Sequence, residues 1–342
     1  MSSPVPVFDA KSDALPPVGP QRSARAALLS RRLAHPSEAP SSGESVKDIM
    51  QAAFENGINM FDTAEDYQKG AAEREMGHAI KELGWRRTDL VISTKIFWSH
   101  EPGTGPNDTG LSHKHVIEGT KACLRRLQMD YVDVIFGASL RYHRSDGGDR
   151  PAFNYVIDQG WAFYWGTSEW SAHQIEEAHH VATRLNLIAP IAEQCKHNMF
   201  HRERPEKEYA PLYAKYGLGT TAFSALQGGL LTGKVYPPQP SNTRHALRHR
   251  AHVPGATEGP QGEELLWKVR LLSQIAAGAS FLPDLLNSGR NRAGARLEAN
   301  LGALEVLPKL DAAVLARIEA VLGNRPQEPE TYGRPPLDQG IL

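Results

Sequence analysis

Between residues 45 and 235, short apolar runs that end on a polar side chain alternate with amphipathic segments of helical period. Such alternation restricts a chain to parallel strands joined by crossover helices. The first helix is expected over residues 46–56, stopped by Gly57. A strand INMFD follows at 58–62, then a helix at 71–83 stopped by Gly84. Strands are expected at 90–95, 131–136, 162–168, 189–194 and 219–224, and helices at 115–127 and near 209–216. Ser171 and Gln174 have the spacing of a capping box and open a further helix. Residues 263–276 and 311–322 read as late amphipathic helices. Two parallel architectures compete. An open dinucleotide-binding sheet should carry G-x-G-x-x-G in its first strand–helix turn, and the chain has none. Instead, polar residues close strand after strand: Asp62, Lys95, Ser168, Gln194 and Ser224. Closed eight-fold barrels assemble their sites from that end of several strands, so the expected fold is an α/β (β/α)8 TIM barrel.

Composition limits the rest. Hydrophobic residues make up 40% of the 342 and charged residues 23%, enough for a packed core. The 38 basic and 39 acidic side chains leave a net charge of −1, which gives no electrostatic footprint for nucleic acid. The mixed basic stretch 244–252 reads as a solvated loop. No apolar run reaches the roughly 18 residues of a membrane span, so no membrane insertion is expected. Only Cys123 and Cys195 are present, and with no apolar leader the expectation is a cytoplasmic protein of a reducing compartment. Cys195 is expected to be packed rather than redox-active. Residues 1–44, rich in Pro, Ser, Ala and Arg, read as a poorly ordered arm, 45–330 as the barrel and 331–342 as a tail. His197 and His201 have i,i+4 spacing without the Glu of a zinc protease, so no metal site is expected. His179 and His180 are expected on the surface or rim.

Asp62, Tyr67 and Lys95 carry the chemistry that spacing suggests. Asp62 and Lys95 end neighbouring strands, and Tyr67 lies in the loop after Asp62. A lysine cation about 4 Å from a phenolate, at an effective dielectric of about 20, attracts it by roughly 4 kcal/mol, or about three pKa units. A carboxylate behind the lysine keeps the lysine charged and in place. That set makes a tyrosine a general acid for carbonyl reduction. The same spacing also fits an ordinary Asp–Lys ion pair beside a packed tyrosine.

The words around these residues bear on that choice. GINMFDTAEDY at 57–67, followed by Gly70, Glu73 and Gly77, resembles the aldo-keto reductase signature. LVISTK at 90–95, LQMDYVDVIF at 127–136, YWGTSEWSA at 164–172 and FSALQGGLLTGK at 223–234 resemble one branch of that family, the branch of the voltage-gated potassium channel beta subunits. The resemblance spans 45–235 and returns at about 297–338. It implies an eight-fold barrel, NADP as cofactor, and reduction of a small aldehyde or ketone substrate. By position, Asp62, Tyr67 and Lys95 match three of four catalytic residues. Ser168 and Gln194 match contacts to the nicotinamide amide, and Phe223 the aromatic residue on which the nicotinamide stacks. Ser224, Leu226, Gln227 and Lys234 match contacts around the pyrophosphate, and Asn300 an adenine contact. A homo-oligomer and a membrane-channel partner are implied in the same way. The alternative reading is a channel-subunit-like module that holds NADP(H) with little turnover, and a third is a degenerate product with neither activity.

The chain departs from the pattern in three stretches. Relatives read F-A-H-R-P-D or F-A-N-R-P-D where this chain has Phe136-Gly-Ala-Ser-Leu-Arg141, which puts Ala138 at the fourth catalytic position. Losing one such hydrogen-bond donor typically costs about 10²–10³ in rate. Residues 137–151 are foreign to the family, although the register resumes at Ala152. A frame displaced by one nucleotide can spell A-H-R-F-G-I-T-V-P-M-E-E-I-V-R, close to what the family expects. The hypothesis is a compensated frameshift over 137–151. Sequencing the transcript tests it, and an in-frame read of the present residues rejects it. The first barrel strand and its G-G-W turn are replaced by the arm before Ser45. Residues 277–296 are about two dozen residues shorter than the family pattern and lack its apolar strand and phosphate loop, with Ala299 as the neighbour of Asn300. The barrel is therefore expected to be incomplete at its first and last strands.

Overall fold

The computed structural model describes residues 45–99, 104–138, 149–233, 259–278 and 306–327. The arm at 1–44, the tail at 331–342, most of the foreign stretch after Ala138, the shortened segment 279–296, the basic stretch 244–252, and Lys234 and Asn300 lie outside the described residues.

Six strands form one parallel sheet in chain order: β1 (Met60–Asp62), β2 (Val91–Ile96), β3 (Val132–Ala138), β4 (Ala162–Ser168), β5 (Ala192–Lys196) and β6 (Gly219–Phe223). Helices intervene: α1 (Val46–Glu55), α2 (Ala71–Leu83), α3 (His113–Leu127), α4 (Asp149–Asp158), α5 (Ala172–Leu185) and α6 (Ala210–Tyr216). Two more follow, α7 (Gly259–Gly278) and α8 (Ala312–Leu322). Every strand pairs with the next in sequence, which is the order of a barrel wall and not of a doubly wound sheet. The curl is visible in one contact. Gln194 on β5 donates to Asp62 on β1 at 3.2 Å, although four strand spacings of a flat sheet would separate them by about 19 Å. The described residues thus form six β/α repeats of an incomplete (β/α)8 barrel. Among them, no strand pairs with the outer edges of β1 or β6.

Local sequence explains the elements. Ser45 caps α1 in a reciprocal box with Asp48, Ser112 caps α3, and Ser171 with Gln174 forms the expected box at α5. The core is Val, Ile, Phe and Trp from the strands and the helices packed on them, including Ile92, Ile135 and Trp165 of the sheet and Phe153 of α4. Phe153 and Trp165 stack with centroids 4.7 Å apart, so α4 lies flat on β4. This helix was not read from the sequence, where the foreign stretch hides its start. Helices α2 and α3 approach unusually closely. A Cβ on Gly77 would come within 2.1 Å of the Leu127 carbonyl oxygen. Beside that contact Glu73 is fully buried and accepts from Arg126 Nε and from the Thr94 hydroxyl, joining α2, α3 and β2.

His179 departs from expectation. It is buried, stacks on Tyr216 with centroids 3.8 Å apart, and has no hydrogen-bond partner for Nε2 among the described residues. Burial in that aromatic contact lowers its pKa to about 4. His180, the next residue, does face water and pairs with Glu176. Cys195 is packed, and burial raises its thiol pKa to about 12.

Candidate functional site

The short strand β1 ends on Asp62, which lies in register with Ser93 on β2. Lys95 is two residues further along β2, on the same face, so its side chain reaches back over the carboxylate. Lys95 Nζ lies 3.0 Å from Asp62 Oδ2, 3.3 Å from Oδ1, and donates to the Thr63 carbonyl oxygen at 3.0 Å. Ser93 Oγ donates to Asp62 Oδ1 at 2.6 Å, and Gln194 Nε2 donates to Oδ2. Both charges are 8% exposed, so water screens this pair little. The Lys95 ammonium also lies 5.4 Å from the centroid of the Tyr67 ring and 5.8 Å from that of Phe136. The structure therefore brings the three residues together, with Tyr67 covering the ion pair.

The electrostatics correct one part of the sequence argument. Lys95 exerts the largest single effect on Tyr67 and pulls its pKa down. Burial, the Asp62 carboxylate and the nearby Asp66 push the other way, and together they win, leaving the phenol above its ordinary value of 10. A lysine–phenolate pair taken alone leaves out desolvation and the acid that holds the lysine. For Lys95 the balance is reversed. Burial would lower it, but Asp62, with smaller contributions from Tyr67 and Asp66, raises it above its ordinary range. At neutral pH the site thus holds a protonated phenol beside a fixed ammonium.

The rest of the rim lies along β3 to β6. Ala138 ends β3 in register with Ser168, and Ser168 is in register with Gln194. Ala138 presents only a methyl where the resemblance expects a donor. Phe223 ends β6, half-buried, in register with Lys196. Beyond it the backbone enters left-handed conformations at Ser224 (φ 56°) and Gln227 (φ 47°), then at Gly228 and Gly229. Strained positive φ at two non-glycine residues is held by the surroundings. Asn198 is what holds it: its Nδ2 donates to the Ser224 carbonyl oxygen at 3.0 Å and to Gln227 Oε1 at 2.9 Å. Leu226, at φ −98° and ψ 13°, is followed by left-handed Gln227, whose backbone N–H donates to the Ser224 carbonyl oxygen at 2.9 Å. Leu226 itself is 39% exposed.

The residues present fit the nicotinamide end of the implied cofactor. Ser168 and Gln194 stand side by side, Phe223 is at the rim, and a backbone turn follows. Sequence reasoning missed Ser93 and Asn198. Asn198 lies within the stretch read only for histidine spacing, and its own signal is weak: a lone Asn two residues after a strand. Lys234 and Asn300 lie outside the described residues and are not placed. Among the described residues, no helix is long and apolar enough to cross a membrane.

Comparison with known proteins accords with this geometry. Residues 33–281 match the Aldo/keto reductase family. The chain is 45% identical over 309 residues to a probable voltage-gated potassium channel subunit beta of Arabidopsis thaliana, covering 84% of this chain and 90% of that protein. It is 42% identical, with the same coverage, to the protein of the same name in Oryza sativa subsp. japonica. It is 41% identical over 305 residues to a putative voltage-gated potassium channel subunit beta of Schizosaccharomyces pombe, covering 83% and 86%. With nearly three quarters of its length matched to the family, the chain belongs to the aldo/keto reductase family.

Proposed function

We propose that the chain is an NADP-dependent oxidoreductase that reduces aldehydes or ketones, with Tyr67 as the general acid. The observation that carries this reading is the buried Asp62–Lys95 pair beneath Tyr67. NADPH, when bound, supplies the hydride. Ser168, Gln194 and Phe223 hold and orient its nicotinamide end, and the turn at 224–229 faces its phosphates. Tyr67 directs its hydroxyl to the substrate oxygen and delivers the proton as negative charge develops there. A phenol above its ordinary pKa meets the substrate protonated, which is the state an acid needs. Once the proton has moved, the phenolate sits in the field of Lys95, the largest single influence on it. Asp62 and the Thr63 carbonyl keep that ammonium from swinging away. Ala138 leaves the substrate oxygen without a second donor, so turnover is slow.

A second reading draws on that same methyl group and on the names of the relatives, each a channel subunit beta. In it the chain holds NADP(H) with little turnover and acts through a partner surface. One experiment separates the two: NADPH consumption by the purified chain across a panel of aliphatic and aromatic aldehydes, with NADPH affinity measured by fluorescence. Consumption that disappears in Tyr67→Phe supports the enzyme. Tight binding without consumption supports the module, and absence of binding rejects both.

A further inference from the structure

Lys196 closes β5 two residues after Gln194, and the alternation of a strand puts both side chains on one face of the sheet. Gln194 reaches Asp62, so that face is the inner one. Lys196 is also in register with Phe223, whose ring belongs to the same rim. Its Nζ lies 3.0 Å from His201 Nε2, and His201 Nδ1 is 3.3 Å from the Asn198 amide oxygen. The pair is therefore tied to the same asparagine that fixes the turn at 224–227. Among the described residues, no carboxylate lies within ion-pair distance of Lys196 Nζ. The nearest acid in influence, Glu169, spends one oxygen on the Lys196 backbone N–H (2.8 Å) and the other on Arg204 (3.1 Å).

A lysine with one hydrogen supplied to an imidazole still has two to offer. Partial desolvation lowers the pKa of both groups, and the Lys196 charge lowers that of His201 further below its ordinary 6.5, which favours a neutral imidazole that accepts from the lysine. Among the described residues, the result is an ammonium held by a neutral partner and touched by no carboxylate, on the rim beside the aromatic ring.

We propose that Lys196, braced by His201, is an anion-accepting position of the site and takes a carboxylate or phosphate group, carried by the carbonyl substrate or by the dinucleotide. This rests on the reading of the site as a reductase.

The test compares the full-length chain with Lys196→Gln, using 4-carboxybenzaldehyde and its neutral methyl ester, alongside NADPH titration by fluorescence and benzoate titration by calorimetry. A fall of about 10- to 100-fold in kcat/KM for the carboxylate aldehyde, with the ester within about twofold, assigns the position to substrate. A comparable loss of NADPH affinity, with both aldehydes falling together, assigns it to the cofactor phosphates. Lys196→Arg should retain most of either effect. Unchanged kinetics, NADPH affinity and benzoate affinity in Lys196→Gln would overturn the proposal. Should the parent chain bind NADPH yet reduce neither aldehyde, the reductase reading fails while the binding titrations still decide the anion position.

Discussion

Two side chains at the site, Tyr67 and Ala138, bear opposite relations to the proposed chemistry. Tyr67 has the environment of a proton donor: protonated at rest, with an ammonium waiting for its conjugate base. Replacing Tyr67 with Phe removes the transferable hydrogen and keeps the ring over Lys95. The expected outcome is a loss of about 10²–10⁴ in kcat with NADPH affinity unchanged within about twofold, checked by steady-state kinetics and fluorescence titration. The sign of the pH dependence follows from the same residue. Reduction needs the protonated phenol, whose pKa is raised above 10, so kcat/KM should hold through neutral pH and fall only on the alkaline side of 10. A fall centred near pH 7 would mean another group supplies the proton. Ala138 stands at the rim in register with Ser168 and can donate nothing. Ala138→His should raise kcat by about 10²-fold, the scale of one donor to a developing oxyanion. No gain in a variant that folds and binds NADPH would show that the residue does not face the substrate oxygen.

At the scale of elements, strand β5 shows how much was legible and what was not. Its existence and Gln194 were readable, because alternation and the strand-end rule both mark them, but the strand runs from Ala192 to Lys196, two residues beyond the expected end at Gln194. Helices α2 and α5 were equally clear, from a glycine stop and a capping box, and α8 from its amphipathic period. The residue before Gln194 was not read at all. Glu193 is fully buried on the opposite face, and neither carboxylate oxygen has a hydrogen-bond partner among the described residues. A one-letter string cannot tell a solvated glutamate from one enclosed between a sheet and a helix, because tertiary packing alone decides that. Burial raises its pKa to about 8; Thr167, the Glu169 N–H and Arg204 pull the other way, the first two without reaching good hydrogen-bond geometry. The folded pKa is above the unfolded value of 4.5, so the folded state binds more protons between them. Stability from this group is complete below pH 4.5 and is lost as pH rises to about 8. Glu193→Gln removes the titration and keeps the shape. Its denaturant midpoint should exceed that of the parent at pH 8.5, with the advantage shrinking towards pH 5. Parallel pH profiles for the two proteins would show that Glu193 is charged or solvated in the folded state.

For the whole molecule, the question is which contacts hold the architecture and which report on the ligand. The sheet curls far enough for β1 and β5 to touch through Asp62 and Gln194, so the rim residues depend on the closure of the wall as a unit. Helix α8 is fastened from outside. Arg202 forks onto both oxygens of Glu319 at 2.8 and 2.9 Å while its Nε meets Glu206. Asn198, four residues earlier, turns inward and fixes the 224–227 turn instead. These neighbours predict different thermal behaviour. A ligand that binds only the folded chain at 100 times its dissociation constant adds about 2.7 kcal/mol of stability. For a chain of 342 residues, roughly 1.4 °C per kcal/mol makes that a rise of about 4 °C in Tm. Arg202→Ala should lower Tm without NADPH, since a bidentate pair is lost, but the rise on adding NADPH should stay the same. Asn198→Ala should also lower Tm without ligand, and in addition the rise should shrink, because the strained backbone at Ser224 and Gln227 loses its restraint and binding must then order it. Differential scanning calorimetry at matched NADPH concentrations reads both numbers. Equal ligand-induced rises in the two variants would detach the 224–227 turn from NADPH binding and leave Asn198 with a structural part only.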